Sequence, residues 1–293
     1  MSVLAETVQA ETVLPETVLP GTARAGFAAG PSLPLLAPFV SAIGYAESRY
    51  AHARELALPS AAMQLLVNLD ADTLHSYDAG HPARFERTAG AALQGPATRP
   101  AMIDPAEQRA VVWVCFRLAG AAPFFAAPAS EARDQLVDLA ELWGGEARLL
   151  RERLLAAATP AEKIRTMEAA LGARAPAGLE ADPAVTFAAA ALHRGRRVAE
   201  VADRLGWTPR RLARRFTERV GVAPKRFARV RRFQRLLAAA AGQARPDWAR
   251  LAADCGYHDQ PHLIHEFREF AGMTPAEYTP RSPAERNHVP LPG

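Results

Sequence analysis

The chain has 293 residues, 49% apolar and 23% charged, with a formal net charge of +4. That length holds about two domains with their own cores, and the composition excludes a fibrous, fully disordered or membrane-embedded chain. Two cysteines, Cys115 and Cys255, are too few for a disulfide framework or a paired-thiol zinc motif, so a reducing cytoplasm is the expected compartment.

The first residues repeat with a five-residue period: Glu6-Thr-Val-Gln-Ala, Glu11-Thr-Val-Leu-Pro and Glu16-Thr-Val-Leu-Pro. Copies this short and proline-rich bury no core, so residues 1–30 read as a disordered tail. No basic region precedes an apolar run, and no signal peptide is expected. Ala25 to Ala46 carries no charge and is long enough to span a bilayer. Pro31, Pro34 and Pro38 interrupt it, so it reads as the approach to a first strand rather than a membrane segment.

Residues 31–175 read as one β-rich domain closed by helices. Met63-Gln-Leu-Leu-Val-Asn-Leu and Ala110-Val-Val-Trp-Val-Cys-Phe have the β-branched, aromatic make-up of strands. Turn signals such as Asp78-Ala-Gly, Gln94-Gly-Pro and Ile103-Asp-Pro separate such runs. From Ser130 the period changes, with Leu136, Leu139, Ala140 and Trp143 at helical spacing. Thr159-Pro-Ala-Glu supplies an N-cap, a proline at N1 and an acid at N3, the signature of a capping box. Residues 176–182, rich in proline and glycine, read as a linker.

Within this domain His75 and His81 do not have a paired-ligand spacing. The stretch holding Asp70, Asp72, His75, Asp78 and His81 reads as a turn-rich loop. No nucleophile elbow, phosphate loop or metal-binding helix motif is present, so no catalytic residue, metal or cofactor is expected. Trp113, Phe116, Phe124 and Phe125 are either core or the lining of a ligand pocket.

The part after residue 182 repeats itself. Val198-Ala-Glu-Val-Ala-Asp-Arg-Leu-Gly-Trp aligns with Trp248-Ala-Arg-Leu-Ala-Ala-Asp-Cys-Gly-Tyr. One residue is then inserted, and Leu212, Phe216, Gly221, Pro224 and Phe227 match Leu263, Phe267, Gly272, Pro275 and Tyr278. Each copy is a short helix, a glycine turn at Gly206 or Gly256, and a longer helix: a helix-turn-helix, twice. Ala202 and Ala252 let the second helix cross closely, and Thr208 and Asp259 can cap it. Leu212 and Phe216, like Leu263 and Phe267, face inward, leaving Arg210, Arg211, Arg214 and Arg215 toward solvent in one copy. Pro261, His262, His265 and Glu266 take that face in the other.

This repeat bears on the three histidines and two glutamates of 256–275, which by themselves resemble a metal site. His262 aligns with Arg211 and His265 with Arg214, while His258 falls in the turn. A pair of groove-reading helices accounts for that correspondence and a metal site does not.

Residues 183–281 resemble the DNA-binding domain of AraC/XylS-family transcription regulators. The likeness is carried by the stretch from Gly256 to Tyr278 and by Gly221-Val-Ala-Pro-Lys-Arg-Phe-Ala-Arg-Val-Arg-Arg-Phe-Gln. It implies a long connecting helix over about 225–241. It also implies recognition helices entering successive major grooves on one DNA face, roughly 34 Å apart. On that resemblance Arg210, Arg211 and Arg214 would read bases from the first unit, and Gln260, His262 and His265 from the second. Thr208, Arg215, Lys225, Arg226, Arg229, Arg232 and Arg268 would hold phosphates.

The first domain resembles, through Leu36-Ala-Pro-Phe-Val, Gly95-Pro-Ala-Thr-Arg-Pro and Phe116-Arg-Leu-Ala-Gly-Ala-Ala-Pro-Phe-Phe, the cupin-like effector or dimerisation domain of such regulators. The fold expected is thus α+β, with an all-α domain at 183–281 and a disordered tail at 282–293. Expected partners are double-stranded DNA, a small-molecule effector, RNA polymerase and a second copy of the chain, with no membrane.

Charge agrees with this division. Residues 180–293 carry 20 Lys+Arg against 12 Asp+Glu, and residues 1–179 carry 15 against 19. The first unit (198–227) is net +5 and the second (248–278) net −3, so the first is expected to supply most of the affinity. The alternative function is a cupin-like enzyme or small-molecule binder using its helix-turn-helix units for protein contacts. That reading requires a converging metal or acid/base cluster in residues 33–130.

Overall fold

A computed structural model describes residues 25–292 apart from 51, 82 and 176–180. The five-residue repeats and most of the expected linker lie outside the described residues.

The first half is two antiparallel sheets. One runs β1 (Ala25–Ala29), β2 (Val40–Glu47), β9 (Ala110–Phe116), β4 (Gln64–Asn68), β7 (Ala91–Gln94) and β10 (Leu136–Asp138), in that spatial order. The other runs β11 (His288–Pro290), β3 (Glu55–Ala57), β8 (Ala101–Ile103), β5 (Thr73–Asp78) and β6 (Phe85–Ala89). Strand β9 shows why its sequence does not alternate with polar residues: both its faces are buried. Val112, Val114 and Phe116 join the core under the helices α1 (Leu139–Trp143), α2 (Gly145–Ala156) and α3 (Pro160–Arg174). Val111, Trp113 and Cys115 face the second sheet. Gly44 pairs with Trp113 across β2 and β9, and a Cβ there would lie 2.2 Å from the indole ring. Glycine is what lets that ring lie flat on the neighbouring strand.

The second half is helical: α4 (Pro183–His193), α5 (Val198–Arg204), α6 (Pro209–Val220), α7 (Pro224–Ala240), α8 (Trp248–Asp254) and α9 (Gln260–Ala271). Helices α5–α6 and α8–α9 are the two helix-turn-helix units, and α7 connects them over the range the sequence predicts. The capping box at Thr159 forms with both hydrogen bonds.

Four expectations are corrected. Ala25–Ala29 is not tail but a strand paired with β2 along its whole length. Leu136 sits in β10, not in a helix; its helical spacing to Leu139 is coincidental, because β7 offers a free edge. Thr73–Asp78 is a strand with His75 at its middle, so the acid- and histidine-bearing stretch is only partly loop. Residues 282–292 are ordered: Ser282 caps a short 3-10 turn and β11 pairs with β3. Its partner strand lies more than 200 residues earlier, so no local pattern could announce it.

Candidate nucleic-acid interface

In the first unit Gly206 takes a φ of +63° and in the second Gly256 takes +79°, the left-handed turn needed between the paired helices. Thr208 Oγ1 accepts from the Arg211 amide and Asp259 Oδ1 from the His262 amide, at 3.2 and 2.7 Å. Thr208 is thereby a cap as well as an expected phosphate contact. Leu212 and Phe216 are fully buried, which turns the opposite face of α6 to solvent. Arg210, Arg211 and Arg214 are exposed there, and among the described residues none of them is in an ion pair. The Arg211 guanidinium lies 4.8 Å from the Trp207 ring centroid. Arg215 differs, since it pairs at 3.1 Å with Asp182, the N-cap of α4.

On α9, Gln260, His265 and Arg268 are exposed. His262 is half-buried against the Tyr257 ring, and its Nδ1 accepts from the His258 amide. Exposed His258 pairs instead with Asp259 at 3.0 Å. Among the described residues no group of three or more His, Cys, Asp or Glu is placed to hold a metal ion.

Glu266 was expected to face solvent and does not: it is 1% exposed. Helix α7 explains this. Arg226, Arg229 and Arg232, spaced by three, meet Glu266 and Glu269, also spaced by three. Arg229 Nε donates to Glu266 at 2.7 Å, and Arg232 Nη2 donates to the same carboxylate at 2.7 Å. Arg226 and Arg229 both donate to Glu269. Burial pushes the Glu269 carboxyl up, but hydrogen bonds from Arg229 and Arg226 outweigh it and hold the group below the usual carboxylate range. With Arg215 on Asp182, four expected phosphate anchors therefore already have carboxylate partners. Of that set, Lys225 and Arg268 are exposed. The aromatic cluster of Phe233, Phe267 and Phe270 supplies most of the α7–α9 stability, at about 1.5–3 kcal/mol per buried ring. The arginines orient the seam and satisfy the buried Glu266, so the loss of one leaves that carboxylate short of donors.

Helix α7 also docks on the first half. Buried Arg231 donates from Nε to His193 Nδ1 at 2.9 Å and from Nη1 to the Ser60 carbonyl at 3.3 Å. Gln234 Nε2 donates to the Pro59 carbonyl and to Asn287 Oδ1. The signal for this contact was available: Gln234 stands on the apolar spacing of Phe227, Val230 and Leu237, where a polar residue needs a partner. Leu56, Leu58, Ala61, Met102 and Val289 share one core with the helical half.

A cavity of about 110 Å³ lies between the two sheets. Trp113 lines it. Phe116, Phe124 and Phe125, grouped with Trp113 in the sequence as pocket candidates, lie across the sheet among the helices, where Phe125 stacks on Trp143 at 5.8 Å. His75 reaches Glu107 at 2.9 Å and borders the cavity, while His81 is exposed. The sequence did not single out Glu55, Arg281 or His288. Arg281 and His288 cross from the C-terminal segment to line the cavity and meet Glu55, at 2.7 and 2.5 Å.

Two helix-turn-helix units joined by a docked helix, one presenting a row of unpaired arginines, define a DNA-binding transcription regulator. Residues 201–281 match the family model described as a helix-turn-helix domain, and residues 30–138 match a domain of unknown function, DUF6597. The helix-turn-helix match covers the part of the chain whose sequence resembles the AraC/XylS-type DNA-binding domain. Similar solved structures include the C-terminal domain of AraT from Geobacillus stearothermophilus, at 18% identity over 37% of this chain and 88% of that one, TM-score 0.31. A DNA-binding transcriptional dual regulator from Escherichia coli K-12 gives 26% identity over 36% and 91%, TM-score 0.29. Unsaturated-fatty-acid-bound ToxT from Vibrio cholerae gives 8% identity over 89% and 96%, TM-score 0.43. No curated relative matches the chain. Among the described residues no helix is long and apolar enough to cross a membrane.

Proposed function

We propose that the protein reads a specific DNA sequence through two successive major grooves, under control of a small molecule held by the β-rich half. The observation that carries this reading is the α6 face. Arg210, Arg211 and Arg214 are exposed and without acid partners among the described residues, and each offers a bidentate fork to guanine. Gln260, His262 and His265 are the base-reading set of α9. Lys225, Arg268 and the Thr208 cap region serve phosphates, while Arg226, Arg229 and Arg232 hold the second unit on α7 and Arg215 holds the N-cap of α4.

The first unit supplies most of the affinity, for a reason that differs from net charge. Glu266 and Glu269 point at α7, so two of the second unit's five acids are turned away from DNA and its total of −3 overstates the repulsion. What distinguishes the two faces is three unpaired arginines against two histidines and a glutamine. The remaining exposed surface of the second unit is the place for RNA polymerase, and a second copy of the chain would double the operator contacts.

The test is selection of randomised duplex DNA by the purified protein at physiological salt. Enrichment of two sequence blocks about one helical turn apart supports the reading. Salt-sensitive binding with no enriched motif leaves only phosphate contacts and favours use of the units for protein interaction.

A further inference from the structure

We propose that the cavity between the sheets is a ligand site completed by the chain's own C-terminal segment. Its ligand class is a small uncharged ring carrying a hydrogen-bonding oxygen. This rests on the reading of the β-rich half as a small-molecule sensor, and adds to it the chemistry of the ligand and the element that reports it.

The first observation is a set of orphaned polar atoms. Trp113 and His288 are each 2% exposed and line the cavity with Tyr50, yet among the described residues Trp113 Nε1, His288 Nε2 and Tyr50 Oη have no hydrogen-bond partner. An unsatisfied buried polar group is unfavourable by about 1–3 kcal/mol, so three on one small cavity mark where a partner fits. The indole N–H only donates and therefore requires an acceptor. His288 Nδ1 faces the Glu55 carboxylate, which keeps a proton on that nitrogen, so Nε2 accepts in the neutral ring and donates in the imidazolium. A hydroxyl serves either form, accepting from the indole and donating to a neutral Nε2 or accepting from both.

Charge and size narrow the class. Glu55 and Glu285 balance Arg281 together with a protonated His288 and outnumber Arg281 alone, so in either form of the ring the cluster holds no surplus cation for a carboxylate ligand. The rest of the lining is mainly apolar, including Leu58, Leu66, Leu74, Ile103 and Val111. A volume of about 110 Å³ suits a single six-membered ring with a substituent. Ser76, Gln94, Ala97 and Ala101 are shared with a wider, more polar recess of about 380 Å³, which provides the way in.

The second observation is what supplies His288. It lies on β11, beyond the DNA-binding helices, and that strand is the edge of the second sheet. Asn287, its neighbour, accepts from Gln234 of α7, the helix connecting the two DNA-reading units. A ligand touching His288 therefore bears on a strap held at one end by the β-rich half and at the other by the DNA-binding half.

The experiment titrates the full-length protein with phenol, toluene and benzoate, following the four tryptophan indole N–H resonances by NMR, with Trp113→Phe assigning its signal. Phenol is expected to bind at least about fivefold more tightly than toluene, the size of one neutral hydrogen bond. Phenol is also expected to move the Trp113 resonance and to slow hydrogen exchange at Val289 and Leu291. Trp113→Phe should narrow the gap between phenol and toluene. His288→Asn, which keeps a donor toward Glu55 and removes Nε2, should do so in part. Where a variant fails to fold, the ranking of the three probes on the wild-type chain still decides. Benzoate binding best, toluene equalling phenol, no probe binding, or unchanged strap exchange with phenol bound would each overturn the proposal. These titrations contain no DNA, so their failure leaves the DNA reading standing, and a failed DNA selection leaves the ligand result standing.

Discussion

Gly44 is small because Trp113 occupies the space its side chain would take. With a Cβ 2.2 Å from the ring and the ring packed on both sides, Gly44→Ala must push the indole out of place. A loss of about 1–3 kcal/mol is expected, as for other overpacked cores, read from denaturant melts. His193 carries a second residue-scale prediction. Burial first, then repulsion by Arg231, Arg235 and Arg194, lowers its pKa from 6.5 to about 4, so the folded state holds the ring neutral as an acceptor for Arg231. The folded pKa lies below the unfolded one. Its contribution is thus fully present above about pH 6.5 and is lost as pH falls through about 4. The expected loss is about 2 kcal/mol after discounting for partial solvent contact. His193→Asn, which keeps an acceptor, should flatten thermal melts across that window.

At the scale of elements, the α7–α9 seam separates two roles that one residue type can play. An arginine that neutralises a phosphate releases counterions, so removing it lowers the salt slope of binding by about 0.9. Lys225→Ala should show that change. Arg229→Ala and Arg232→Ala should leave the slope unchanged and lower the melting temperature of the helical half, because they leave Glu266 buried with fewer donors. A reduced slope for either arginine would return it to the phosphate set. Between the two recognition helices, Arg214→Ala is expected to weaken specific DNA binding at least about tenfold, a base contact being worth about 1–3 kcal/mol. His265→Ala should lose clearly less, and equal losses in a binding titration would refute the asymmetry.

Among the described residues the two halves meet at α7 on the loop at Pro59 and Ser60, at the α6–α7 corner on Ala129 and Thr98, and at the C-terminal strap, which returns to β3. The strap depends on ionised Glu55. Burial acts to raise that carboxyl, but the hydrogen bond and charge of His288, with Arg281 and His52, bring it down to about 2. A depressed carboxylate stabilises fully above its ordinary value of 4.5, and that stabilisation disappears as pH falls toward about 2. Protection of the His288, Val289 and Leu291 amides from hydrogen exchange, corrected for the intrinsic rate, should therefore fall below about pH 4.5, before the core of the first sheet opens. Simultaneous opening of β9 would show that the strap is not a separate unit.

Much of the helical half was legible along the chain. A helix-turn-helix is a local object: its apolar spacing, its glycine turns at 206 and 256 and its caps at Thr208 and Asp259 lie within 25 residues, and the repeat exposes which positions face outward. Strands β4 and β9 were legible too, from β-branched runs and flanking turns. What only the tertiary structure decided are contacts between segments far apart in sequence. Glu266 is buried because α7 brings arginines to it, Leu136 is a strand because β7 has an open edge, and His288 lines a cavity because β3 accepts a strand from the other end of the chain. Periodicity and composition describe how a segment treats solvent. They carry no information about which distant partner replaces that solvent, and in this protein those replacements connect the proposed ligand site to the DNA-binding helices.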